Sequence, residues 1–277
     1  MPELPEVESV RRQLAPRLVG LTISDVWTDP AMPRYIRPQE AAGLQVIGLR
    51  RRGKYLIADL HGEIGAAGTP LRADLILHLG MTGILRWRGA DGWQPDTYVR
   101  ASISFTDGSV LDFRDVRRFG TFAVTPQDLH DELPTLAALG PEPLSPDFTK
   151  AGFAAALARS RQAIKPLLLS QRPVAGVGNI YADEALWQSR IHPMARRLGR
   201  ARSDRLWRAI REVLAASIQR EGTTFRDYQM VNGESGRNAG FLIAYGQEGQ
   251  PCPRCGRPMR KITLGGRGTT YCPGCQR

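Results

Sequence analysis

The residues with the clearest chemical potential stand at the start of the chain, which begins MPELPEVE. Removal of Met1 leaves Pro2 with a free secondary amine. Amines attack aldehyde-like carbon and form Schiff bases, and a secondary amine gives an iminium that is cationic without a proton. Glu3 is a carboxylate beside that amine and can move protons on the same substrate. The pair therefore predicts covalent catalysis through an iminium.

The same residues also fit an ordinary helix start, and for the first eight residues alone this structural interpretation is the stronger one. Proline and acidic side chains are common in the first turn of a helix. There Glu3, Glu6 and Glu8 face the positive end of the helix dipole. The rest of the chain has to decide between the two interpretations.

A metal site is predicted near the C-terminus, where all four cysteines of the chain stand. Four thiolates form a closed tetrahedral shell, so the predicted cofactor is one structural Zn2+ rather than a catalytic one. Disulfide pairs are not expected in a reducing cytoplasm. The spacing is typical of a four-cysteine zinc site: Cys252-x2-Cys255-x16-Cys272-x2-Cys275.

Between the cysteine pairs, the sequence predicts a β-hairpin. Strand-like residues 260–263 and 269–271 flank Gly265-Gly266, and Arg267 stands near the predicted tip. Such a ribbon can staple the fold or bind a protein. Residues 248–277 contain six Lys+Arg and one Glu, and this charge favours contact with phosphates.

A second motif, VAGVGNIYADE at residues 174–184, contains two glycines that let the backbone approach a ligand closely. Asn179 is predicted to cap the following helix, whose N-terminal amides favour an anion. An ordinary tight turn between two helices fits these residues equally well.

Further candidates are scattered through the first half of the chain. Lys54 follows a run of arginines, and Met81 lies between glycines shortly after His78. Arg117 and Phe119 lie together in DVRRFG. On their own, Met81 and Phe119 are more typical of core residues than of a binding site.

The composition is that of an ordinary globular protein, and its charge favours a polyanionic partner. The chain is 42% hydrophobic and 23% charged, and no apolar run approaches the ~18 residues of a membrane span. The acidic N-terminus argues against a signal peptide, so a cytoplasmic protein is expected. The net charge is +11, with most of the excess beyond residue 130, which favours nucleic acid. Charge alone is also compatible with a merely basic protein.

Two periodicities predict the elements that position these residues. Apolar residues at helical spacing predict a helix over 4–18, which Pro16 kinks or ends and Gly20 stops. A β-rich domain follows, in which Asp107-Gly108 predicts a hairpin turn. Its predicted strands are Thr22–Trp27, Leu44–Leu49, Tyr55–Leu60, Leu75–Leu79, Ile84–Trp87, Val99–Phe105 and Val110–Phe113.

Prolines at 134, 141, 143 and 146 indicate a linker over residues 131–148, and beyond it the pattern becomes helical. Ser203 is predicted to cap a long helix. Two segments are predicted to be loops, 62–74 as an exposed one and 222–240 as a mobile one. Shorter helices are predicted over 149–159, 162–170 and 180–188.

With these motifs in order, nearly the whole chain resembles the formamidopyrimidine-DNA glycosylase family, bacterial enzymes that excise oxidised purines. MPELPEVE and the cysteine spacing are the most specific parts of the resemblance. Residues 174–184 resemble the helix–two-turns–helix with which the family grips DNA phosphates. Leu4 favours this family over its sister, endonuclease VIII, which typically has a glycine there.

The resemblance implies an α+β fold. An N-terminal helix lies on a β-sandwich in a catalytic domain of residues 1–130, and a proline-rich linker covers 131–148. A helical helix–two-turns–helix domain spans 149–247, and a C-terminal β-hairpin zinc ribbon spans 248–277.

The implied activity is that of a bifunctional DNA glycosylase and abasic-site lyase in base excision repair. Its partner is double-stranded DNA that carries oxidised bases, and it acts as a monomer. Pro2 is the implied nucleophile, Glu3 the acid/base group and Glu6 a supporting residue. The alternatives are an endonuclease VIII-like glycosylase for oxidised pyrimidines and a non-catalytic zinc-ribbon DNA-binding protein.

Further residues are carried over as DNA contacts. Met81, Arg117 and Phe119 are implied to fill the gap left by an everted base, because a base inside a duplex is unreachable until it is flipped. Lys165 matches a further lysine of the family, which the resemblance implies to be a DNA-binding residue. Ser170 stands where the family pattern has an aspartate, which puts a supporting hydrogen bond in doubt. The resemblance implies four phosphate-binding residues: Lys54, His78, Asn179 and Arg267. Of these, Lys54 and Arg267 are also implied to be catalytic.

Overall fold

The structure is a computed structural model that describes residues 1–32, 35–64, 70–89, 96–224, 231 and 233–277. The chain forms two compact units. The first comprises Met1–Ala137 with Glu221–Arg237, and the second comprises Ala138–Arg220 with Asn238–Arg277. A segment far along the chain, which sequence analysis places in the helical domain, therefore makes its contacts within the first unit. The domain boundaries of the sequence analysis stay a prediction.

The first unit consists of a long helix, two short ones and two antiparallel sheets. Helix α1 spans Leu4–Leu18, as predicted; it ends two residues beyond Pro16, and Gly20 follows with a φ of +96°. A 3-10 helix covers Pro38–Ala41, and α2 covers Pro134–Ala137. The strands are β1 Ile23–Thr28, β2 Gln45–Arg52, β3 Tyr55–Ile64, β4 Pro70–His78, β5 Gly83–Arg88, β6 Val99–Phe105, β7 Val110–Asp115 and β8 Thr121–Pro126.

One sheet has the strand order β1-β6-β7-β5 and the other the order β2-β3-β4-β8. The two sheets and α1 share one apolar core. Val10 and Leu14 of α1 belong to the same buried cluster as Leu77 and Phe113, which come from different sheets. Burial of these apolar side chains holds the helix and both sheets together.

Strand β8 is an element that sequence analysis missed. The seven predicted strands are all present, with boundaries shifted by a few residues. Four consecutive residues of β8 are buried, so the strand lacks the alternation of polar and apolar side chains that reveals a half-buried strand.

The prediction that 62–74 is an exposed loop is wrong wherever the structure describes it. Strand β3 continues to Ile64 and β4 begins at Pro70, while residues 65–69 lie outside the described residues. Asp74 is fully buried in β4 and accepts a hydrogen bond from Arg50 at 2.7 Å. A charged residue that is typical of a loop is therefore paired inside the sheet.

Glu8 fixes α1 to the second sheet. Its carboxylate accepts hydrogen bonds from Arg11 at 2.8 Å and Arg12 at 2.9 Å on the same helix, and from Arg51 of β2 at 3.2 Å. Burial would raise the pKa of Glu8, but the hydrogen bonds and charges of these arginines lower it to about 2. The ionised carboxylate thus holds the helix that carries Pro2 and Glu3.

The second unit is helical and ends in a hairpin. Helix α6 begins after Gly199, so the prediction that Ser203 caps it is wrong; the buried Ser203 hydroxyl donates to the Gly199 carbonyl at 3.2 Å from inside the first turn. None of the described helices is both long and apolar enough to cross a bilayer. The elements are α3 Lys150–Ala158, α4 Ile164–Leu169, α5 Asn179–Gln188, α6 Arg200–Gln219, a 3-10 helix Asn238–Phe241, β9 Arg260–Leu264 and β10 Arg267–Tyr271.

We expect Glu8→Gln to lower the free energy of unfolding by about 1–2 kcal/mol at pH 7, after allowance for solvent screening. The pKa of Glu8 is depressed in the folded chain, so its stabilising contribution is present above the ordinary value of 4.5 and is lost as the pH falls towards 2. Urea unfolding should therefore show a difference between parent and variant that shrinks below pH 4.5.

Glu40→Gln is the matched control, because Glu40 lies in an exposed ion pair, 3.7 Å from Arg37, and such pairs contribute little. A Glu8→Gln effect that stays constant from neutral to acid pH would contradict the anchoring role.

Candidate active site and nucleic-acid interface

Pro2 and Glu3 stand at the start of α1, and both are buried. Glu3 is the N-cap residue and is 1% exposed. Its backbone N–H donates to Oε2 of Glu6 at 2.7 Å, as in a capping box. The helix-start interpretation is therefore confirmed, and it is compatible with the chemical one, because the helix start fixes the backbone of Glu3 next to Pro2.

Glu6 also binds the segment that returns to the first unit. Its Oε1 accepts a hydrogen bond from the backbone N–H of Thr223 at 2.7 Å. Gly222 has a φ of +79°, and a Cβ there would lie 2.6 Å from that oxygen, so only glycine fits. Sequence analysis missed this contact, and the glycines of 222–240 were its only signal. Residues 225–230 and 232 of that predicted mobile loop lie outside the described residues.

Lys54 and His78 lie close together beside the β2–β3 turn. Lys54 follows Gly53, whose φ is +58°, and is only 7% exposed. Burial, and next the charge of Lys54, lower the pKa of His78 to about 4, so the ring is neutral at pH 7. Its Nδ1 accepts from the N–H of Gly80 at 3.1 Å, which places the ring proton on Nε2 as a donor. A neutral donor beside a cation suits a phosphate oxygen.

Met81, Arg117 and Phe119 lie in two turns rather than in strands. Met81 is half-buried in the turn between β4 and β5, and Phe119 is 49% exposed in the segment between β7 and β8. The guanidinium of Arg117 lies 4.9 Å from the centre of the Phe119 ring. The core interpretation of Phe119 is therefore wrong, and for Met81 it fits only in part.

The turn before α5 positions Asn179. The helix begins at Asn179 with Gly178 as its N-cap residue, so the prediction that Asn179 caps it is wrong. Its Nδ2 instead donates to the carbonyl of Gly268 in β10 at 3.3 Å. Gln171 holds the turn, since its Oε1 accepts from the N–H of Gly176 at 2.7 Å. Sequence analysis missed Gln171, because nothing in its local pattern marks a side chain that bonds to the backbone of the turn five residues later.

Lys165 requires a correction, because it is 0% exposed and so is not placed to contact DNA. Its Nζ donates to Oδ1 of Asp183 at 2.6 Å and to the hydroxyl of Thr269 at 2.9 Å. The other oxygen of Asp183 accepts from the N–H of Thr270 at 2.9 Å. Burial raises the pKa of Asp183, and Lys165 opposes that rise. The cluster links α4 and α5 to β10, while Ser170 bonds back to a carbonyl of its own helix at 2.7 Å.

The four cysteines form the predicted metal site. Their Sγ atoms all lie within 4.8 Å of one another. The separation is 3.9 Å between Cys252 and Cys275 and 3.5 Å between Cys255 and Cys272. A tetrahedral zinc with Zn–S bonds of ~2.3 Å requires sulfurs about 3.8 Å apart, so the four thiols fit the ion.

The hairpin predicted between the cysteine pairs is confirmed. Gly265 and Gly266 have φ values of +57° and +72°, as a two-residue turn between twisted strands requires. Arg267 pairs with Leu264 directly after the turn and is exposed. The tip of the hairpin therefore presents a guanidinium to the solvent.

Each unit contributes its own set of candidates. The first contains the amine, two carboxylates, a lysine beside a histidine, and two turns with an arginine and two apolar side chains: Pro2, Glu3, Glu6, Lys54, His78, Met81, Arg117 and Phe119. The second contains the metal site and the polar groups of the helical turn and hairpin: Lys165, Asn179, Arg267, Cys252, Cys255, Cys272 and Cys275.

Family models match three consecutive parts of the chain. The formamidopyrimidine-DNA glycosylase N-terminal domain matches residues 1–122, and the formamidopyrimidine-DNA glycosylase H2TH domain matches residues 139–229. A zinc finger found in FPG and IleRS matches residues 249–277. The last match agrees with the geometry of the cysteine cluster, so the finger holds one structural zinc ion.

Full-length relatives carry the same name. The formamidopyrimidine-DNA glycosylase of Deinococcus radiodurans is 48% identical over 281 residues, covering 100% of this chain and 97% of the relative. That of Thermus thermophilus is 43% identical, with 100% and 98% covered.

Solved structures agree over the whole chain. The MutM (FPG) protein from Thermus thermophilus has a TM-score of 0.89 at 41% identity, covering 99% of this chain and 98% of that one. MutM in complex with DNA containing carbocyclic 8-oxo-G has a TM-score of 0.86 at 36% identity, with 100% of both chains covered. Lactococcus lactis Fpg in complex with DNA containing an abasic site has a TM-score of 0.84 at 36% identity, with 99% of both covered.

We expect the purified protein to contain one zinc ion per chain and Cys255→Ser to lose it, because metal binding and folding of such a finger are coupled. Elemental analysis measures the zinc, and thermal unfolding should show a lowered midpoint for the variant. Thr263→Ser, on an exposed position of the same hairpin, is the control and should keep the ion. A metal-free Cys255→Ser with the parent's unfolding profile would contradict the structural role.

Proposed function

Because the chain belongs to the formamidopyrimidine-DNA glycosylase family, we propose that it excises oxidised purines such as 8-oxoguanine from duplex DNA and cleaves the strand at the resulting abasic site. The observation that carries the proposal is the buried pair of Pro2 and Glu3 at the capped start of α1. The enzyme acts as a monomer in the cytoplasm on nucleoid DNA.

The reaction begins with Pro2, once Met1 has been removed. The neutral proline nitrogen attacks C1′ of the damaged nucleoside, the N–C1′ bond forms, and the base leaves with the electrons of the glycosidic bond. Glu3 then gives a proton to the ring oxygen O4′ as the C1′–O4′ bond breaks. The attached proline nitrogen loses its N–H proton to the departed base, and the opened sugar becomes an iminium. The cationic iminium acidifies the adjacent C2′ proton, and two successive eliminations release the phosphates on either side of the lesion.

The contacts of Glu6 support this division of labour between the carboxylates. One Glu6 oxygen accepts from the backbone of Glu3 and the other from the backbone of Thr223, each at 2.7 Å. Glu6 is thereby engaged in holding the backbone, and Glu3 is the carboxylate adjacent to Pro2. We therefore assign positioning to Glu6 and proton transfer to Glu3.

Phosphate binding is assigned to polar groups of both units. Lys54 and the neutral ring of His78 supply a cation and a donor from the first unit. Asn179 and the exposed guanidinium of Arg267 supply donors from the second. Such contacts position the duplex and carry no sequence information, which suits an enzyme that must act at a lesion in any sequence.

Met81, Arg117 and Phe119 are assigned to the opened duplex. Excision requires the damaged base to leave the stack, and the remaining gap has to be filled. Apolar side chains at exposed turns can enter a base stack, and the donors of Arg117 match the acceptors of an orphaned cytosine. The half-exposed Phe119 supports this role.

Two other functions make different predictions. An endonuclease VIII-like enzyme would share the chemistry but prefer oxidised pyrimidines, and a panel of duplexes with defined lesions separates the two. A non-catalytic DNA-binding protein would retain Met1, which blocks the amine, and the mass of the intact chain reveals this. The family models and relatives support the purine-excising enzyme.

We expect borohydride to trap a covalent protein–DNA adduct through Pro2, because reduction converts the iminium into a stable amine. Pro2→Gly should weaken trapping strongly, and protein that retains Met1 should give no adduct. Peptide mapping locates the attachment point. An adduct on Lys54 or another lysine would contradict the mechanism.

We expect Met81→Ala and Phe119→Ala to slow excision of 8-oxoguanine from duplex while leaving cleavage of an abasic duplex almost unchanged, because no base has to be flipped there. Flipping costs a few kcal/mol, so a loss of one order of magnitude or more is expected. Phe119→Ala should barely change the melting temperature, since the side chain is half-exposed.

Phe105→Ala is the matched core control, because Phe105 is 3% exposed. It should cost about 2–5 kcal/mol of stability and affect both duplexes equally. The same pattern in Phe119→Ala would rule out its assignment to the opened duplex.

A further inference from the structure

One fully buried carboxylate connects the two turns that carry Met81 and Phe119. Asp115 is the last residue of β7 and is 0% exposed. Its Oδ1 accepts a hydrogen bond from the hydroxyl of Thr82 at 2.6 Å. Its Oδ2 accepts one from the backbone N–H of Gly120 at 2.7 Å. Thr82 directly follows Met81, and Gly120 directly follows Phe119. Asp115 is therefore bonded to each turn at the residue next to Met81 or Phe119.

The hydroxyl of Thr82 extends this connection. Besides donating to Asp115, its Oγ1 accepts a hydrogen bond from the backbone N–H of Arg117 at 3.0 Å. The Met81 turn is thereby bonded to the first part of the other turn, and Asp115 is bonded to its end. These three hydrogen bonds bracket the segment from Arg117 to Phe119.

The two turns are also packed backbone against backbone. Gly80 has a φ of +62°, and a Cβ there would lie 2.7 Å from the carbonyl carbon of Phe119. No side chain therefore separates the turns at this point. The two turns are thus joined by hydrogen bonds and by packing into one unit, the double turn, which carries both Met81 and Phe119.

We propose that Asp115 and Thr82 are positioning residues for duplex opening, which hold Met81, Arg117 and Phe119 in one fixed arrangement so that they enter the base stack together. The inference rests on the proposed role of these three residues at the opened duplex. Asp115 is 0% exposed, and the Thr82 hydroxyl is engaged by Asp115 and by the N–H of Arg117, so both act through the two turns.

The physical reason is the entropy of ordering. A side chain that pries open a stack has to keep its place while the duplex resists. Turns that move independently would have to be ordered in the same step, and that cost would add to the barrier for flipping. A preformed double turn has met this cost during folding. Asp115 suits the task because its carboxylate offers two oxygens on one rigid group, and each turn donates to a different one of them.

The test compares Thr82→Val, Thr82→Ser and Asp115→Asn. Valine has the shape of threonine but neither donates nor accepts, serine keeps the hydroxyl, and asparagine places an amide where two donors converge. Single-turnover rates are measured on a duplex with 8-oxoguanine and on a duplex with an abasic site. The concentration of active enzyme is counted by borohydride trapping on the abasic duplex, so that unfolded protein does not enter the comparison.

We expect Thr82→Val and Asp115→Asn to slow excision of 8-oxoguanine about tenfold, the size of effect that loss of a buried hydrogen bond produces. Cleavage of the abasic duplex should change less than about twofold. Thr82→Ser should restore excision. A 2-aminopurine base beside the lesion, whose fluorescence rises on unstacking, should open more slowly with Thr82→Val than with Thr82→Ser.

Ser102→Ala is the matched control. Ser102 donates to Oδ1 of Asp112 at 2.7 Å in the same sheet, so the variant removes a bond of the same kind away from the two turns. It should leave the ratio of the two rates unchanged. Equal losses on both duplexes with Thr82→Val, no loss at all, or a Thr82→Ser variant as slow as Thr82→Val would each overturn the inference.

The outcomes also separate this inference from the function on which it rests. If Phe119→Ala and Met81→Ala show no selective defect on the 8-oxoguanine duplex, the proposed role of those side chains fails. If they do show it and Thr82→Val does not, only the positioning role of Asp115 and Thr82 is overturned.

Discussion

The structure depends on the burial of charge at the first turns of α1. Glu3, Glu6 and Glu8 are each less than 10% exposed, and a buried carboxylate is costly unless it is bonded. Glu6 and Glu8 therefore each hold neighbouring groups in place. Glu8 gathers arginines from the helix and from β2, and Glu6 binds two backbone amides, one of them from a segment more than two hundred residues away. The position of the N-terminal amine is a result of these bonds, because a helix start that was free to fray would carry Pro2 with it.

A comparison of sequence and structure shows which kinds of feature a sequence can reveal. The cysteine cluster was predictable because a four-thiolate metal site follows from residue type and spacing alone. The chemical roles of Pro2 and Glu3 stay a prediction, because their residue types also fit an ordinary helix start. Helix α1 was predictable because its apolar residues recur at helical spacing. Strand β8 was not, because its four central residues are all buried and therefore do not alternate. Asp115 and Gln171 were missed for a further reason: their partners are backbone groups or a hydroxyl, which leave no mark in the sequence pattern.

Lys165 shows that a sequence pattern can also assign the wrong partner to a residue. A lysine in a basic chain that binds DNA is most simply assigned to a phosphate, yet the structure buries it against Asp183 and Thr269. Its role is to join α5 to the hairpin whose tip is Arg267. The basic charge of the second unit is thus of two kinds, one that faces the solvent and one that holds the solvent-facing groups in place. Sequence alone does not separate them, since the residue type is the same and the buried partners of Lys165 lie 18 and 104 residues away along the chain.

Position 222 tolerates almost no residue other than glycine, because Gly222 lies against Glu6. Every change in the first two bases of a glycine codon introduces a different residue, and any Cβ at this position meets the Glu6 carboxylate at 2.6 Å with an unfavourable backbone as well. Gly89 stands in contrast: among the described residues, its chain neighbours aside, no atom lies within 4 Å of a Cβ built there, and these residues leave room for a side chain. Among natural variants of this chain, the first position should be nearly invariant and the second free to vary.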